Sequence, residues 1–88
     1  MIKVNIHSSL TRFTNNQSQI ALPIEKTSDI ISVLCQHYEK LQMSILDKSG
    51  RLTPYVNIYI NGKNLSQLNE MPLCHSDTID VVTALVGG

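Results

Sequence analysis

Two kinds of residue in this sequence could do chemistry. One is the glycine pair on which it closes, Gly87-Gly88; the other is the thiol and imidazole neighbours Cys35-Gln36-His37 and Cys74-His75. The pair offers a terminal carboxylate on a bare stalk. A carboxylate that another enzyme is to activate must reach an active site through a narrow passage. Glycine has no Cβ, so backbone can approach backbone there. With glycine at about 7% of residues, composition alone places two in the last two positions of roughly 0.5% of chains. A flexible tail or a cloning remnant is the plain alternative, and a strand running directly into the pair speaks against it. The cysteines and histidines fit less well. Zinc ligands are usually separated by two or more residues, and neither Cys-x-His nor Cys-His has that spacing. A cysteine nucleophile needs a low-pKa, partly exposed thiol in a cleft, and a domain this small has little room for one. Cys35, beside Leu34, reads as a small apolar residue. His7, His37 and His75 read as surface or boundary residues. No catalytic residue, metal ligand or bound cofactor is expected within the chain.

The elements that must position the chain end follow from periodicity. Ile2, Val4 and Ile6 alternate with polar residues, which predicts a strand over 2–7. The Ser-, Thr-, Asn- and Gln-rich stretch 8–19 predicts a turn whose tip is Asn15-Asn16, since Asn tolerates left-handed angles. A returning strand over 18–24 contains Pro23, which cannot donate to a ladder and so belongs at a sheet edge. Thr27, Ser28 and Asp29 are candidate N-caps for one amphipathic helix. Ile30, Ile31, Leu34, Tyr38 and Leu41 form its apolar face, and the helix runs to about residue 42. Residues 46–52 read as a connector. Val56, Ile58 and Ile60 alternate before Asn61-Gly62, a type I′ hairpin signal, so a short partner strand is expected at 63–65. A last strand carries Ile79, Val81 and Thr83, entered through the Ser76-Asp77 turn.

Composition limits the function classes. The chain has 88 residues, 42% of them apolar and 16% charged, which suits one domain, 1–88, with a single core. Seven basic side chains cancel seven acidic ones, so there is no basic stripe for nucleic acid and no polybasic anchor for a membrane. No apolar run reaches the length of a membrane span, and the alternating start has no signal-peptide core. The expected location is the cytoplasm, with Cys35 and Cys74 as reduced thiols. The alternative, a secreted domain closed by one bridge between them, lacks a signal sequence.

Hairpin, helix, strand, short strand and final strand assemble most economically as an α+β fold, a mixed sheet around one main helix. The first and last strands then lie parallel at its centre, and the last strand pushes the chain end into solvent. Three segments strengthen this expectation: Tyr55-Val56-Asn57-Ile58-Tyr59-Ile60-Asn61-Gly62, Asp77-Thr78-Ile79-Asp80-Val81-Val82, and Ala84-Leu85-Val86-Gly87-Gly88. In these the chain resembles the ThiS/MoaD sulfur carriers, which are β-grasp proteins related to ubiquitin. The 46–52 connector and the Val-Asn-Ile-Tyr strand look most like CysO-type carriers, which donate sulfur for cysteine synthesis. Lys63, Asn64 and Ser66 replace an acidic pair and arginine common in that type, and Thr83 replaces a common proline. The resemblance implies that an ATP-using activating enzyme of the MoeB/ThiF type adenylates the Gly88 carboxylate. Sulfur then displaces AMP, leaving a thiocarboxylate for a sulfur-accepting biosynthetic enzyme. Val86 and Gly87 would form the tail, and Tyr59, Val82 and Ala84 would face solvent as a docking surface or as ordinary scattered apolar residues. Two other functions stay open: a modifier joined to lysines through Gly88, and a non-covalent binding module.

Overall fold

Ile2, Val4 and Ile6 bury their side chains while Lys3 stays in water, and this alternation is strand β1 (Ile2–Ile6) of a computed structural model that describes residues 1–83. Four more strands join it: β2 (Gln19–Leu22), β3 (Val56–Ile60), β4 (Lys63–Asn64) and β5 (Thr78–Thr83). Their order across the sheet is β2-β1-β5-β3-β4, so β5 is central. It runs parallel to β1, with Val4 beside Ile79 and Ile6 beside Val81, and antiparallel to β3, with Ile58 opposite Val81. The register lines Ile20, Val4, Ile79 and Ile60 in one row across the inner face. A slip of one residue would turn that row out to solvent, which is why the register holds. This is the mixed β-grasp sheet expected from the sequence. β2 is an edge strand and stops just before Pro23, as the missing N–H of proline requires.

The helical cover departs from expectation. In place of one helix to residue 42 there are two, α1 (Ile30–His37) and α2 (Glu39–Ile45). Tyr38 divides them at φ −134° and ψ 83°, outside the helical region. Its N–H still bonds the Leu34 carbonyl at 2.9 Å, and its own carbonyl takes the Leu41 N–H at 3.0 Å, closing one helix and opening the next. Glu39 then places a negative charge in the first turn of α2, where the helix dipole favours it. Ile30, Leu34, Leu41 and Ile45 are all fully buried. Leu34 and Leu41 are two turns apart with or without the break, so the apolar period carries no trace of it.

The expected caps are also spent elsewhere. Thr27–Asp29 is a 3₁₀ turn, and the Asp29 side chain makes no capping bond to α1. The Thr27 hydroxyl accepts the Met71 N–H at 3.1 Å, and Ser28 donates to Glu70 at 2.7 Å. Lys26 pairs with Glu70 at 3.4 Å and bridges to Pro72 through its backbone. Pairing with a segment distant in sequence therefore takes the side chains that local capping would use.

Residues 8–19 are likewise more ordered than the turn the sequence predicts. Ser8–Phe13 is a 3₁₀ helix that packs on α2. The His7 side chain caps it by accepting the Ser9 N–H at 3.1 Å, and Leu10 is buried. Three residues per turn bring Leu10 and Phe13 to one side. Asn15 and Asn16 then take left-handed angles, φ 55° and 62°, as the tip. Buried Thr14 satisfies its hydroxyl on the Gln17 carbonyl at 2.8 Å.

Asn61 and Gly62 adopt φ 51° and 86°, the positive pair that a type I′ turn demands. Asn61 also donates to Asp77 at 2.9 Å and accepts the Thr78 N–H at 3.0 Å, tying this turn to the start of β5. In the connector, Asp47 accepts from the Ser49 and Arg51 N–H groups at 2.9 and 3.1 Å, and Leu46 bridges to Leu52.

Candidate functional site at the end of the central strand

β5 is hydrogen-bonded on both flanks, so its C-terminal end is aimed by the sheet itself. Thr83, the last residue of β5, pairs with Val56 of β3. Ala84, Val86, Gly87 and Gly88 lie outside the described residues. In the sequence, residues 84–88 come after Thr83, the last residue of β5.

A small polar cluster surrounds this end of the strand. The Ser9 hydroxyl lies 3.0 Å from the Thr83 hydroxyl and 2.8 Å from His7 Nδ1, while Thr83 Oγ1 is 3.4 Å from the same nitrogen. Because Nδ1 accepts the Ser9 N–H, Nδ1 bears no proton, and a neutral His7 ring then carries its proton on Nε2. The His7 N–H bonds the Val81 carbonyl at 2.9 Å, so the cluster is built on the β1–β5 pairing. Sequence reasoning left His7 as a surface residue and did not connect it with Ser9 or Thr83. Thr83 is 74 residues from Ser9 and 76 from His7, so the sequence gives no local spacing that joins it to them.

Tyr59 and Val82 stand on the outer face of the sheet, each half-buried. Tyr59 is opposite Asp80 and Val82 is opposite Asn57, so the two are diagonal neighbours with polar residues between them. A hydrogen-bonded row continues from there. Asn5 donates to Asp80 at 2.8 Å, and Gln19 donates to Asn5 at 3.0 Å. The outer face thus carries two apolar side chains within a polar ladder.

The thiols and imidazoles do not converge. Cys35 is half-buried on α1, and burial raises its thiol pKa. Cys74 is exposed near the Asp77 turn, with Sγ 3.1 Å from Ser76 Oγ. His37 Nδ1 is 3.1 Å from the Val33 carbonyl. Among the described residues no three His, Cys, Asp or Glu side chains are grouped to hold a metal ion. Nor is any described helix long and apolar enough to cross a membrane. Asp77 is held below the usual carboxylate range by the Cys74 N–H and the Asn61 amide, which steadies the entrance to β5.

No family model matches the chain. It is 29% identical to a proposed sulfur carrier protein of Archaeoglobus fulgidus, over 99% of this chain and 98% of that one. The small archaeal modifier protein 1 (SAMP1) of Methanosarcina acetivorans superposes with a TM-score of 0.80 at 28% identity, covering 99% of this chain and 95% of that one. CysO from the Amycolatopsis orientalis BexX/CysO complex gives a TM-score of 0.80 at 18% identity, each chain fully covered. The chain thus has the β-grasp fold of these ubiquitin-like proteins and is similar in sequence to a ThiS/MoaD-type sulfur carrier. The strand that immediately precedes the tail sequence is bonded on both sides, to β1 and to β3.

Proposed function

We propose that this protein is a sulfur carrier of the ThiS/MoaD type whose working group is the Gly88 carboxylate. A partner enzyme of the MoeB/ThiF type joins that carboxylate to the α-phosphate of ATP, forming an acyl-adenylate and releasing pyrophosphate. Sulfide then attacks the carbonyl carbon and displaces AMP; a persulfide does the same to give an acyl disulfide, whose S–S bond a donor-protein thiol cleaves, leaving a disulfide on the donor. The product is a C-terminal thiocarboxylate, which passes its sulfur to a substrate held by a second enzyme. Adenylation makes a poor electrophile a good one; the carrier contributes no acid, base or metal and acts as a co-substrate. The observation that carries this reading is the placement of β5. It is central and bonded to both β1 and β3, and it leads within five residues to Leu85-Val86-Gly87-Gly88. Tyr59, Val82 and Ala84 provide part of the surface on which partners seat the protein. The connector 46–52 and the strand Val56–Ile60 favour cysteine synthesis as the destination, with thiazole, molybdopterin or another metabolite as alternatives. The likeness to SAMP1 favours a second reading, in which the same carboxylate is joined to lysines of other proteins.

Reversible adenylation gives the test. Labelled pyrophosphate should enter ATP when the activating enzyme and this chain are both present, and should not when Gly87-Gly88 is deleted. Exchange that persists at full rate after the deletion would refute the assignment of Gly88. Branched conjugates to lysine as the sole product would establish the modifier reading.

A further inference from the structure

Beside the end of β5, on the side away from Tyr59 and Val82, runs a groove of about 490 Å³. Its apolar wall is Leu10, Phe13, Tyr55 and Val56, and Thr83 closes it next to the departing chain. Tyr55 is 56% exposed and is the one strongly exposed large apolar residue among those lining it. Arg12 is the one Arg, Lys, Asp or Glu among the residues lining it. No carboxylate lines the groove, although the chain as a whole has seven acidic residues to seven basic ones, and His7 joins Arg12 there as a polar group. The Arg12 guanidinium lies 5.0 Å from the centre of the Phe13 ring and has no carboxylate partner among the described residues. Stacked in this way it sits over the apolar wall, and it also borders a second hollow lined by Glu39 and Lys40, with no ion pair to Glu39 within 4.0 Å. Thr53 also lines the groove, and its hydroxyl is the one buried side-chain polar atom without a hydrogen-bond partner among the described residues.

We infer that this groove is a docking site for a short apolar segment bearing a carboxylate, presented by the enzyme that activates the chain end. The apolar wall takes the segment, Arg12 takes the carboxylate, and the position beside Thr83 brings the partner to the root of the tail. The inference rests on the carrier reading and adds a second contact surface to it. It predicts that docking here sets the affinity for the activating enzyme, while the chemistry at Gly88 is untouched.

The test uses the full chain and the MoeB/ThiF-type enzyme of the same organism. In pyrophosphate exchange, Arg12→Glu and Tyr55→Ser should each raise KM about tenfold with kcat unchanged, and Lys48→Glu on the distant connector should leave both constants alone. Added salt should narrow the gap between wild type and Arg12→Glu. Circular dichroism melting confirms that the variants are folded. Without ATP, titrating ¹⁵N-labelled protein with the enzyme should shift the amides of Leu10, Phe13, Tyr55 and Thr83. If wild type is turned over and neither variant changes KM, the groove proposal falls and the carrier reading stands. If wild type is neither bound nor turned over, both fall. Groove amides that move on dilution alone would assign the groove to a second copy. Leu10, Phe13 and Tyr55 amides that move on removal of 84–88 would assign it to the chain's own end. Either result overturns the proposal.

Discussion

The two surfaces that meet where β5 ends are built differently. On the outer face, Tyr59 and Val82 sit within a ladder in which Gln19, Asn5 and Asp80 bond one to the next. On the other side, Leu10, Phe13, Tyr55 and Val56 make a continuous apolar wall rimmed by Arg12 and His7. A ladder fixes side chains and resists being reshaped, so the outer face offers a partner a defined template. A groove between a 3₁₀ helix and a loop offers depth and charge but depends on those segments keeping their places. One strand end thus presents a rigid flat surface and a recessed basic one, and a partner that reads both fixes the direction in which the tail is delivered.

Several changes would break or sharpen this contrast. Deleting Gly87-Gly88 has the largest effect, abolishing pyrophosphate exchange while the melting temperature and the binding of the activating enzyme through both surfaces persist. Next is Leu41→Ala, which removes a fully buried side chain of α2. It should cost about 2–5 kcal/mol in urea unfolding, a large share of the stability of so small a domain. Val82→Asp or Tyr59→Glu should raise KM for the activating enzyme about tenfold without lowering the urea midpoint appreciably. Unaltered kinetics with both partner enzymes would remove the outer face from the docking surface. Asp80→Ala leaves the Asn5 amide without its acceptor and should cost about 0.5–1.5 kcal/mol, whereas Asp80→Asn keeps an acceptor and should cost less.

The smallest effect is that of pH. Asp47, Glu70 and Asp77 are all held below their usual range, chiefly by Ser49, by Ser28 and by the Cys74 N–H respectively. The unfolded chain therefore takes up these protons at higher pH than the folded one. Stability from the three is complete at neutral pH, and it declines as pH falls through about 4 and below. Urea midpoints measured from pH 7 to 3 should show this fall, and Asp77→Asn should make it shallower.

Much of the fold could be read directly from residue order. Alternation at Ile2–Ile6, Val56–Ile60 and Thr78–Thr83 marks strands because every second side chain must leave water. Asn15-Asn16 and Asn61-Gly62 mark turns because few other residues accept positive φ. What could not be read depends on distance along the chain. The break at Tyr38 preserves the apolar period across it. Thr27 and Ser28 have the chemistry of helix caps, yet Met71 and Glu70 claim them. The His7, Ser9 and Thr83 cluster and the groove draw on segments that only the folded sheet brings together. The tail motif is the opposite case, since Gly87-Gly88 is legible in sequence and lies outside the described residues.

The most direct test of the carrier role is intact mass spectrometry of the protein after incubation with ATP, the activating enzyme and a sulfur source. Exchange of one oxygen for one sulfur, confined to the C-terminal peptide and absent without ATP, is the expected result. A mass that never changes while the enzyme binds and consumes ATP would contradict the assignment of sulfur carriage to Gly88.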